Sequence, residues 1–99
     1  TGWMEIIHLE EWGKRVTTGL RLEQAKWMRD YIDSGGSAWV VVRVGLATCL
    51  FWGDAVFDLL DRPSPKNFMG LAVWSKNGNL LKEDWKYVEG MILNANSGY

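Results

Sequence analysis

The sequence predicts an α/β domain with a mixed β-sheet and flanking helices, in the order β-α-β-β-α-β-α. Three observations carry this. Residues 38–44 are nearly continuous β-branched sequence, apolar residues recur at helical spacing in two other segments, and turn-type residues separate these blocks. At 99 residues the chain is one domain, residues 1–99, long enough for one core and too short for two.

The elements follow in order. Trp3 to Leu9 is apolar and β-prone with Glu5 inside it, which reads as a strand. Residues 10–19 are polar with two Thr and two Gly, a loop. Leu20 to Ser34 reads as a helix whose core face is Leu22, Ala25, Met28 and Ile32, at steps of three and four. Gly35 stands where a C-capping glycine belongs, and the Gly35-Gly36 pair breaks the chain. Trp39, Val40, Val41, Val42 and Val44 suit a central strand buried on both faces. After a turn at Gly45, Thr48 to Trp52 is another strand, and Asp54 is an N-cap for a short helix through Leu60. Asp61-Arg62-Pro63-Ser64-Pro65-Lys66 reads as a connector, Met69 to Trp74 as a strand, and Ser75-Lys76-Asn77-Gly78 as a turn. Leu81 to Leu93 closes the chain as a helix with Leu81, Trp85, Val88 and Ile92 on its core face.

Composition narrows the function. Hydrophobic residues are 47% and charged residues 23%, the balance of a globular domain. A net charge of -1 argues against a general nucleic-acid coat or a polybasic membrane binder. One cysteine, Cys49, excludes an intrachain disulfide framework and a Cys-cluster metal site, and fits a cytoplasmic setting. No apolar run reaches the ~18 residues of a membrane span, and no signal peptide opens the sequence. Thr1 is of the small type exposed when an initiator Met is removed, compatible with a native start and equally with a fragment. The outlier is seven Trp. Trp39 and Trp85 fall at packing positions, whereas Trp12, Trp52 and the Trp27/Tyr31 pair at i, i+4 either wrap a small core or make a binding surface.

Few residues offer chemistry. Glu5 reads as an acid/base or metal-binding carboxylate, or as a strand residue on a solvent face. His8, the only histidine, has no Cys or second His beside it to complete a metal site. No Gly-x-Ser-x-Gly elbow supports a nucleophilic triad, and Gly35-Gly36 follows a helix where phosphate loops precede one. Lys14, Arg15, Arg21, Lys26 and Arg29 concentrate positive charge that could meet phosphates, but Glu5, Glu10, Glu11, Glu23 and Asp30 balance it.

Several short motifs stand in an ordered series: Gly2-Trp3-Met4-Glu5, Leu20-Arg21-Leu22-Glu23-Gln24, Ser34-Gly35-Gly36, Val40-Val41-Val42-Arg43-Val44, Leu50-Phe51-Trp52-Gly53 and Lys82-Glu83-Asp84-Trp85. Their order and spacing resemble the C-terminal part of small phage nucleases of the PD-(D/E)XK class, near the VRR-NUC and resolvase-like branch. In that family two carboxylates hold a divalent cation that organises the attacking water and stabilises the charged transition state. A Lys two residues after the second carboxylate helps to position or activate the water.

The resemblance places Glu5 at the second carboxylate and Gln24 at a helix position that supports the site, both as vestigial catalytic residues. The Lys position is Ile7. The first carboxylate belongs to a preceding strand that this sequence does not contain. Lys14 or Lys26 could stand in for the missing Lys, but nothing in one chain replaces the missing Asp. The expected fold is therefore a truncated restriction-endonuclease-like core. Its expected function is that of an inactive phage-type remnant that binds or inhibits a host or phage protein, with no metal and no other cofactor. Two alternatives stand beside it. One is a Mg²⁺-dependent nuclease or resolvase completed by a second chain. The other is a non-catalytic nucleic-acid-binding module using Lys14, Arg15, Arg21 and Lys26, with weak binding if any. Because the Glu5 strand would lie inside the sheet of relatives, its outer edge is expected to seek a homodimer or host partner through Trp3, Ile7 and Trp12, with Trp27 and Tyr31 extending that surface.

Overall fold

The computed structural model describes residues 2–96. Strand β1 (Gly2–Leu9) lies parallel to β2 (Ser37–Val44), β3 (Ala47–Trp52) runs antiparallel to β2, and β4 (Trp74–Asn77) antiparallel to β3. The spatial order is β1-β2-β3-β4, a mixed sheet with β2 and β3 inside and β1 and β4 at its edges. Helix α1 (Leu22–Asp33) connects the two parallel strands, as a parallel pair requires. A 3₁₀ turn (Gly53–Ala55), α2 (Val56–Leu60) and α3 (Pro65–Leu71) connect β3 to β4, and α4 (Lys82–Asn96) follows β4. The expected single helix between β3 and β4 is thus two.

Strand alternation sorts the side chains onto two faces. On one, Val40, Val42 and Val44 of β2 and Cys49 and Phe51 of β3 pack against Ala25 and Met28 of α1, Val56 and Leu59 of α2, Phe68 of α3 and Val16 of the first loop. On the other, Trp39, Val41 and Leu50 pack against Val88 of α4, with Met91, Ile92, Trp52 and Trp74 around them. The expectation that β2 is buried on both faces therefore holds.

Local chemistry explains most boundaries. Gln24 Oε1 accepts the Arg21 N–H at 3.0 Å and so satisfies a donor at the start of α1. At its end the Gly35 N–H donates to Ile32 O and the Gly36 N–H to Tyr31 O, both at 2.9 Å, with Gly35 at φ +94°. That left-handed conformation is the reason for glycine there. α1 starts two residues later than the spacing predicts, and Leu22 is 51% exposed. The first turn overhangs the core, which begins at Ala25. Gly45, at φ +59°, makes the two-residue hairpin between β2 and β3, and its N–H donates to Leu9 O at 3.0 Å.

Four other expectations are corrected. Asp54 caps no helix: it lies within the 3₁₀ turn, and α2 begins after Ala55 without a side-chain cap. The connector expected at residues 61–66 already contains a helix start. Ser64 Oγ accepts the Asn67 N–H at 3.3 Å and Pro65 occupies the first helical position, so Met69 to Leu71 is helix, not strand. Ser75 to Asn77, expected as a turn, pairs with β3 instead, and the turn falls at Gly78, φ +97°. Finally, Trp85 is 45% exposed and Leu81 largely exposed. Leu81 precedes α4, where its N–H donates to Asp84 Oδ2 at 2.8 Å, and the Val88–Met91–Ile92 stripe supplies the core contacts of α4 with the sheet.

Candidate functional site

β1 is the informative element. Among the described residues its ladder partner is β2, which leaves its other side unpaired. Its odd positions face the layer of α1: Ile7 and Leu9 pack against the core, and Glu5 is half-buried on the same face. Its even positions lie on the α4 side, level with Trp39, Val41 and Arg43 of β2. There α4 does not cover them: Met4 is 40% and Ile6 57% exposed, and His8 is exposed as well. An edge strand with apolar residues on both faces is an unusual surface, because edges are commonly blunted with charge or proline.

At the start of β1, Trp3 meets Trp27 of α1 with ring centroids 4.9 Å apart and planes at 63°. Trp27 in turn stacks on Tyr31, at 5.1 Å and 9°. Tyr31 lies over the backbone of Gly36, where an added Cβ would sit 2.6 Å from the ring. Glycine at that position is what lets the row close. The i, i+4 spacing of Trp27 and Tyr31 and the parallel β1–α1–β2 connection thus build one aromatic row from two residues of α1 and one that stands 24 positions before the first of them.

Of the expected partner-binding residues, the structure brings together Trp3, Trp27 and Tyr31. Ile7 is corrected: it packs against the core, and its neighbour Ile6 takes the exposed place. A one-residue step along a strand exchanges its faces, which is why the edge was legible and its exposed side was not. Trp12 lies elsewhere, edge-on to Phe68 at 5.7 Å, beside a cavity of about 300 Å³ that Leu9, Glu11, Arg15 and Val44 also line. Met4 and Ile6 were missed. The alternation Met4-Ile6-His8 is the signal that could have found them.

Glu5 and Gln24, expected as a vestigial catalytic pair, stand in different local roles. Gln24 serves the start of α1 through Arg21, while Glu5 sits mid-strand opposite Val40. Lys14, Arg15, Arg21 and Lys26 are all exposed, and the Arg15 guanidinium donates to Arg62 O at 3.0 Å, tying the first loop to the α2–α3 connection. Among the described residues no group of three or more His, Cys, Asp or Glu side chains is placed to hold a metal ion. No helix among them is long and apolar enough to cross a membrane. Burial pushes the Cys49 thiol up to about 11, and its Sγ lies 3.5 Å from Met69 Sδ. It is a core residue without nucleophilic character at neutral pH.

No family model, curated protein or solved structure matches this chain.

Proposed function

We propose that this chain is a non-catalytic protein-binding module: an inactive nuclease-fold remnant of phage type that holds a host or phage protein, or a second copy of itself, along β1. One observation carries the reading. Met4 and Ile6 expose apolar surface on a strand whose outer edge is unpaired among the described residues. Strand addition to such an edge gains main-chain hydrogen bonds, and the exposed side chains supply specificity. Burying a large apolar side chain is worth about 1.5–3 kcal/mol, so Met4, Ile6 and Trp3 together can offset part of the entropic cost of association. The inactive half of the reading rests on the resemblance, in which Ile7 replaces the Lys and Glu5 is left as a lone carboxylate. Ile7 is also packed into the core, so an amine could not simply be restored there without desolvating it.

Two measurements test the proposal. Purified protein with Mg²⁺ or Mn²⁺ should leave linear, circular and branched DNA uncut. Cleavage that vanishes in Glu5→Ala would replace this reading with the metal-dependent nuclease. Sedimentation and cross-linking at micromolar concentration should show a dimer or a stoichiometric complex that the Met4→Lys/Ile6→Lys variant loses while its melting temperature holds. A wild-type chain that stays a monomer and captures no stoichiometric partner would refute the binding module.

A further inference from the structure

Where the aromatic row meets the start of α1, a cavity of about 220 Å³ opens between Trp3 and Trp27, with Glu23 and Gln24 at its rim and Met28 beneath. We infer that this corner receives one arginine side chain of a partner protein. The inference rests on the binding-module reading for its partner and adds the chemistry by which that partner is recognised.

Size excludes much else. Sites for drug-sized ligands run from about 300 to 1,000 Å³, so this cavity suits a single side chain. Its walls select a cation. Two indole rings at 63° form a corner rather than a slot, and the π-face of Trp is the best aromatic surface for a positive charge. Glu23 adds a full negative charge. It stands one helical turn before Trp27, on the same side of α1. Among the described residues no cation pairs with it, and no basic side chain lines the cavity. Gln24 brings no competing charge, since its amide is neutral and its Oε1 accepts the Arg21 N–H. Met28, 1% exposed, closes the floor with apolar surface.

Planarity favours arginine over lysine. A guanidinium can lie against one indole while its edge presents two parallel N–H groups to the Glu23 carboxylate. An ammonium is a strongly hydrated point charge and gains less from a flat wall. The same helix already uses this chemistry internally: the Arg29 guanidinium lies over the Phe57 ring, 5.3 Å from its centroid.

The test follows the indole N–H signals of the seven Trp by NMR while the blocked tripeptides Gly-Arg-Gly, Gly-Lys-Gly and Gly-citrulline-Gly are titrated in. Citrulline keeps the shape of arginine and lacks its charge. The arginine peptide should move the Trp3 and Trp27 signals saturably at millimolar concentration, lysine less, and citrulline hardly. Glu23→Gln, a surface change that leaves the fold intact, should weaken arginine binding about two- to fivefold, the range an exposed charge pair supplies. Equal shifts with citrulline, shifts spread over all seven indoles, or no shift up to about 50 mM, where binding energy is negligible, would each overturn the inference. If Met4→Lys/Ile6→Lys loses the partner while arginine leaves Trp3 and Trp27 unmoved, only this inference falls. If arginine binds as expected but no partner or dimer forms, the binding-module reading falls and the cation site stands.

Discussion

Gly53→Ala isolates how tightly the 3₁₀ turn is pressed onto the sheet. A Cβ at Gly53 would lie 2.8 Å from Ala38 O, 2.8 Å from Ile32 Cδ1 and 2.9 Å from Ala38 Cβ. Ordinary C···O contacts start at about 3.3 Å, so roughly 0.5 Å must be found. The Ile32 methyl can swing away. Ala38 cannot, because it lies in β2, fully buried between β1 and β3. Overpacking of this kind costs about 1–3 kcal/mol. Gly53 has no left-handed φ, so alanine also gains about 0.4–1 kcal/mol from the less free unfolded chain. The net runs from near zero to a loss of about 2.6 kcal/mol, a drop in melting temperature of up to about 20 °C for a domain of this size. Gly90→Ala is the control of opposite sign: it lies inside α4 with nothing within 4 Å of an added Cβ. Helix propensity alone should stabilise that variant by about 0.5–1 kcal/mol. Thermal and urea unfolding of the two variants decide the matter. A Gly53→Ala protein more stable than wild type by about 0.4–1 kcal/mol, the unfolded-chain gain with nothing set against it, would refute the close approach.

Other outcomes follow from the same packing. Gly36→Ala should displace the Tyr31 ring, which swings on a flexible side chain, so near-UV circular dichroism should change more than stability does; an unchanged aromatic spectrum would count against the row. Cys49 should resist a disulfide reagent at pH 8 until the protein unfolds, because the thiol is buried and titrates near about 11; rapid labelling of native protein would contradict that. The hydrogen bond from Lys76, helped by the Leu81 N–H, lowers the Asp84 carboxyl below its usual range. A carboxylate depressed in the folded state adds stability above its unfolded value near about 3.9 and loses it as pH falls through the folded one. Asp84→Asn should therefore flatten the acid limb of the stability profile below about pH 4, and an unaltered limb would show that the pair contributes nothing.

Much of the architecture was legible because its causes are local. The β-branched run of β2, the apolar spacing around Ala25 and Met28, and Gly35 after the last turn of α1 each act within a few residues, and each stands where the sequence places it. Ser64-Pro65 was local too, but the same pair starts a helix or breaks one, and Phe68 packing into the core selects the helix. The candidate site was half legible. Trp27 and Tyr31 share a stripe by spacing alone, whereas Trp3 joins them only because β1 lies beside α1.

What sequence determined by itself was β1, α1, β2, β3 and α4, and the alternation within those strands. Tertiary structure decided the sign of that alternation. In β1 the pattern is apolar on both faces, so period two assigns neither Ile6 nor Ile7 to the interior. Three helices cover the Ile7 side, and α4 reaches the other side through a narrow stripe over β2 and β3. Burial of Ile7 and exposure of Ile6, like exposure of Trp85 and burial of Trp39, therefore follow from where distant helices come to rest. That placement is set by the summed packing of the whole core, which no local pattern encodes.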